Sequence, residues 1–128
     1  VSAAIRVLLV EDDVDSAEAL GLLLQRAGYA VRAVDTAREA LAVLAGADRP
    51  DVMLLDLTLR DLSGAALLDA FRGAGRLPPT ILTSAATEPV LRAAAHQLQS
   101  WAALRKPYPT DALMRAVANA AAGAVRLV

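Results

Sequence analysis

The 128-residue chain contains no cysteine, a single lysine, a single histidine and no long block of like charge. Without cysteine there is no disulfide frame, no thiolate nucleophile and no Cys-based zinc site, and a reducing compartment suits the chain. A net charge of −1, with neither sign clustered, provides no stripe for wrapping nucleic acid and no patch for anionic lipid. A protein is the expected partner. No apolar run approaches the roughly 20 residues of a membrane span, and no leader pattern opens the chain. The expected location is the cytoplasm.

What is present is core-forming material. Apolar residues make up 56% of the chain, and this length fits one domain, expected to occupy residues 1–128. Twelve of the 13 basic residues are arginine, and Lys106 is the exception. In so arginine-rich a background, an isolated lysine either survives by chance or marks a place where a compact ammonium serves and a planar guanidinium does not.

One rhythm repeats five times. "IRVLLV" (5–10), "AVRAV" (30–34), "DVMLLD" (51–56), "PTILTS" (79–84) and "WAALRK" (101–106) read as short strands. Helical patterns lie between them. The first carries Leu20, Leu23, Leu24 and Ala27 on one stripe, with Asp15 and Glu18 as a capping-box-like start and Gly28 as a stop. The second runs from Thr36 to about Ala45, the third follows Ser63 and Gly64, the fourth starts near Glu88 with Pro89, and the fifth starts at Thr110. Strict alternation predicts an α/β fold: a five-stranded parallel sheet between helices, joined by right-handed crossovers, in the flavodoxin-like order 2-1-3-4-5. The strands at 5–10 and 51–56, continuously apolar, suit central positions.

In such a sheet, ligands bind beyond the carboxyl ends of the strands. Those ends carry "EDD" (11–13), Asp56, Thr83 and Lys106. Two carboxylates brought to about 4 Å would repel by roughly 4 kcal/mol at an effective dielectric near 20, so a cation between them is expected. Oxygen-only donors with no histidine or cysteine nearby favour a hard ion, and few carboxylates completed by water suit Mg2+. Beside such an ion an aspartate can act as nucleophile toward phosphorus and form an acyl phosphate.

The motifs "LLVEDD", "PDVMLLDLTLRDLSG", "ILTSA" and "RKPY", in that order, resemble the receiver domain of two-component response regulators over essentially the whole chain. The resemblance implies a signalling domain rather than an enzyme acting on a separate substrate. Asp56 is then the phospho-acceptor, Asp12 the direct metal ligand, Glu11 an acid acting mainly through metal-bound water, and Thr58 the donor of a backbone carbonyl to the ion. Thr83 would bind a phosphoryl oxygen and Lys106 would pair with the phosphoryl group. The implied partner is a histidine kinase or histidine phosphotransfer protein, with a possible effector domain in the same chain and a response near the fourth helix and fifth strand. The closing "GAVRLV" names no effector.

Plainer readings cover several residues. Asp13 reads as a helix cap, His96 as a surface side chain, Trp101 as packing, and Gly64 as a turn requirement. The Lys106–Pro107 bond is a candidate for cis. Three positions depart from the family pattern. Arg60 stands where many members have proline, and either loosens the loop or adds a local cation. Ala85 cannot position a hydrolytic water, and Ala103 replaces the usual aromatic. Other classes fit less well. A haloacid-dehalogenase phosphatase or a topoisomerase-primase metal domain needs a second acid where Thr58 stands, and an FMN binder would be repelled by "EDDVDS". The remaining alternative is a pseudo-receiver, a protein-docking module that is never phosphorylated.

Overall fold

The computed structural model describes residues 4–126. Five strands, β1 (Arg6–Val10), β2 (Ala30–Val34), β3 (Val52–Asp56), β4 (Thr80–Ser84) and β5 (Ala102–Arg105), alternate with five helices. These are α1 (Val14–Arg26), α2 (Ala37–Ala45), α3 (Gly64–Arg72), α4 (Glu88–Leu98) and α5 (Thr110–Arg126). All strand pairs are parallel, in the order β2-β1-β3-β4-β5. The last residues of "GAVRLV", Leu127 and Val128, lie outside the described residues. Among those described, no helix is long and apolar enough to cross a membrane.

β1 and β3, the continuously apolar strands, are central, as expected: every residue of β3 and all of β1 but Arg6 are buried, whereas the edge strands β2 and β5 are largely half-buried or exposed. The period of two along each strand divides the core into two layers. Leu8, Val10, Met53, Leu55 and Leu82 face one layer with Leu44, Phe71 and Leu91 from α2, α3 and α4. Val7, Leu9, Val52, Leu54 and Ile81 face the other with Leu24 from α1 and Leu113 and Val117 from α5. β5 is one residue shorter at each end than its sequence pattern. Its hydrogen bonding nevertheless continues, because the Trp101 N–H donates to Thr80 O at 2.8 Å and the Lys106 N–H to Ser84 O at 2.7 Å.

Side-chain oxygens cap the starts of α1 and α2, with one correction to the sequence reading. Asp13, not the Asp15–Glu18 pair, caps α1: its carboxylate accepts from the Ser16 N–H at 2.9 Å, and Asp15 lies in the first turn. Helix α2 has two caps. Thr36 Oγ1 accepts from the Glu39 N–H at 3.1 Å, and Asp61, from the loop after β3, accepts from the Ala37 and Arg38 N–H groups at 2.9 and 3.1 Å. Gly64 begins α3 at φ 57°, a left-handed conformation that a side chain disfavours, so the turn requires glycine there.

The second Asp61 cap carries a measurable contribution. Burial acts to raise its pKa, but the Ala37 and Arg38 N–H groups outweigh it and hold the carboxyl below its ordinary value of 3.8. A depressed carboxylate contributes stability that is fully present above its unfolded value and is lost as pH falls through the folded one. Asp61→Ala is expected to cost about 1 kcal/mol at neutral pH. Denaturant unfolding curves should show that difference shrinking toward strongly acid pH.

Trp101 packs, as expected, yet stays 48% exposed. Its ring lies against Gly123 of α5 so closely that a Cβ at 123 would fall inside it. Gly123→Ala should therefore displace the indole, and the single-tryptophan emission should move to longer wavelength with greater access to iodide. Unchanged emission would contradict this packing.

Candidate functional site

The four strand ends deliver their side chains to one edge. β1 leads directly into Glu11 and Asp12, β3 ends in Asp56, Thr83 stands opposite Asp56 in the β3–β4 register, and Lys106 follows β5. Glu11, Asp56 and Thr83 are each no more than 6% exposed. Lys106 extends its ammonium to both acids, with Nζ 3.0 Å from Asp56 Oδ2 and 3.4 Å from Glu11 Oε1. The other Asp56 oxygen, Oδ1, accepts the Thr58 N–H at 2.9 Å. Thr58 also pairs with Ser63 in a short antiparallel bridge that closes the loop after β3.

These contacts set the electrostatics. Burial, followed by the bond and charge of neighbouring Asp56, pushes Glu11 from 4.5 up to about 6, against the opposing pull of Lys106. For Lys106, burial acts downward, but the bond to Asp56 and the charges of Asp56 and Glu11 outweigh it and raise the ammonium above its ordinary value. Lys106 is thus held charged. Burial likewise raises the Tyr108 hydroxyl beside this edge.

Glu11, Asp12 and Asp56 each offer a carboxylate oxygen within 4.8 Å of the others. An all-oxygen donor set of this kind fits a hard divalent cation and would be completed by water. Thr58 reaches the site through its backbone N–H. Asp13 turns away to cap α1, and the exposed His96 lies in the last turn of α4. The Lys106–Pro107 bond is cis.

Of the two expectations for Arg60, the added cation is observed. Its backbone N–H donates to Asp12 Oδ2 at 3.0 Å, Nη2 donates to the Asp12 carbonyl at 3.2 Å, and Nε lies 3.6 Å from Asp12 Oδ2. Asp61, the next residue, holds α2. Its cap had no signal in the sequence, since its partners are 23 and 24 residues away. The loop carrying Asp56 is therefore fastened on two sides.

A family model for the response regulator receiver domain matches residues 7–118. This chain belongs to that family. Among receiver relatives, the transcriptional regulatory protein CseB of Streptomyces coelicolor is 40% identical over 80 residues, 62% of this chain and 34% of CseB. The cell cycle transcriptional regulator CtrA of Caulobacter vibrioides is 36% identical over 83 residues, 65% of this chain and 36% of CtrA. The chain thus spans about a third of the length of these relatives. Among solved structures, the receiver domain of a signal transduction histidine kinase from Syntrophus aciditrophicus superposes with a TM-score of 0.80 at 28% identity, covering 94% of this chain and 92% of that one. The receiver is a signalling domain of two-component systems, and its expected strand order is the one observed.

Proposed function

We propose that this receiver accepts a phosphoryl group on Asp56 in a Mg2+-dependent reaction, and that residues 1–128 form one such domain in the cytoplasm. The observation that carries the reading is Asp56 itself: a buried carboxylate at the end of β3, 3.0 Å from the lone lysine and grouped with two further acids. A structural acid would not need so costly an environment.

The donor is a phosphohistidine on a histidine kinase or histidine phosphotransfer protein. An Asp56 carboxylate oxygen attacks phosphorus, the P–N bond breaks, and its electron pair leaves with the imidazole, which takes up a proton. Glu11, Asp12, Asp56 and the Thr58 carbonyl would hold Mg2+, which when bound neutralises charge on the phosphoryl oxygens. The Thr83 hydroxyl and Lys106 ammonium donate to those oxygens, so Lys106 exchanges its bond to the carboxylate for one to the phosphoryl group. Ala85, exposed beyond β4, cannot hold an attacking water, which favours a long-lived acyl phosphate. Ala103, half-buried against the α4-side core, has no rotamer to swing. The signal to a partner or linked effector domain then runs through the loops after β3 and β4.

Incubation with Mg2+ and acetyl phosphate, followed by intact mass measurement, should show one added phosphoryl group. No added mass, with the fold intact, would favour the docking-only pseudo-receiver.

A further inference from the structure

Two side-chain cations of the chain itself lie against the acid cluster. Lys106 serves Asp56 and Glu11, while the Arg60 guanidinium lies against Asp12, with Nε 3.6 Å from Oδ2 and Nη2 donating to the Asp12 carbonyl at 3.2 Å. We infer that the Arg60 guanidinium is a built-in competitor of the divalent cation, seated on Asp12 when the ion is absent and released when it binds. The inference rests on the Mg2+ reading above and adds a residue that sets the affinity of that site.

The chemistry separates the backbone of residue 60 from its side chain. The Arg60 N–H, a donor that proline lacks, fixes Asp12 Oδ2 at 3.0 Å. A carboxylate has about four lone-pair sites, so this bond still leaves Asp12 free to bind an ion. The guanidinium differs, because it has five donors and no acceptor and can never join an oxygen-only ligand shell. Next to a divalent charge it is repelled, while in the metal-free state it offsets the Asp12 carboxylate. Arg60 is 80% exposed along its side chain and Asp12 only 17%, so the guanidinium is the mobile partner and its hold is weak. Ion binding therefore costs the Asp12–Arg60 pair, and the freed arm stands at the rim of the site.

The test is a Mg2+ titration at low ionic strength, followed by backbone amide NMR, on wild type, Arg60→Ala and Arg60→Gln, with Asp12→Ala as the non-binding control. Both Arg60 variants keep the N–H and lose the charge. They are expected to bind Mg2+ on the order of fivefold more tightly, with the gap closing as potassium chloride is raised. The wild-type Arg60 Nε–H signal should shift along the same binding curve. Saturable binding in wild type with both variants no tighter, or an Nε–H signal unmoved at saturation, overturns the role of Arg60 alone. Absence of a saturable response in wild type and variants overturns the Mg2+ reading, and this inference with it.

Discussion

Asp56→Asn is expected to take up no phosphoryl group from acetyl phosphate or a phosphohistidine donor, while remaining folded. The amide oxygen is a poor nucleophile, and the substitution also removes one charge from a cluster whose donor atoms lie within 4.8 Å. The fold has reason to survive, because an asparagine Oδ1 can still accept the Thr58 N–H that Asp56 accepts at 2.9 Å. Glu11 should then titrate closer to its ordinary value, since Asp56 contributes to raising it to about 6. Intact mass with circular dichroism checks the first two points and carboxyl NMR the third. Undiminished phosphorylation of the variant would remove the central claim.

Lys106→Arg separates charge from shape. The ammonium bridges Asp56 and Glu11 at 3.0 and 3.4 Å, and both acids are 5% exposed. A guanidinium is a planar fork too large to occupy the same point between them. The variant should still be modified at Asp56 but should lose the amide shifts that phosphorylation produces outside the modified residue. Phosphorylation-dependent spectra matching wild type would mean that any cation suffices, and that the isolation of Lys106 among arginines is incidental.

The layers of this fold were legible because they depend on local periodicity. A buried parallel strand reads as an apolar run, and β1 and β3 did so with boundaries within one residue. The site was legible for a related reason: parallel topology sends every strand end to one edge, so Glu11, Asp12, Asp56, Thr83 and Lys106 had to converge there. Contacts made by loops were not legible. "LRDLSG" marks a turn, yet nothing local says that Arg60 reaches Asp12 or that Asp61 reaches α2. The start of α1 was read two ways, Asp13 as a cap and Asp15 with Glu18 as a capping box, because both acids satisfy cap chemistry; backbone direction chooses Asp13. Trp101 keeps about half its surface in solvent and rests its ring on Gly123 of α5, a contact between segments far apart in the chain that no local pattern marks.

The double fastening of the loop after β3 bears on anyone building chimeras from this domain. Residues 57–63 look like an interchangeable module, closed on itself by the Thr58–Ser63 bridge. They are not one, because α2 borrows its first two hydrogen-bond acceptors from Asp61. Grafting the loop alone into another scaffold would leave behind the helix turn it was matched to, and the recipient's own loop, transplanted here, would strip the Ala37 and Arg38 N–H groups of their acceptors, leaving α2 only its Thr36 cap. The unit that exchanges with its contacts intact is Asp12 and residues 36–38 together with residues 57–63, three segments separated in the gene and joined only by folding.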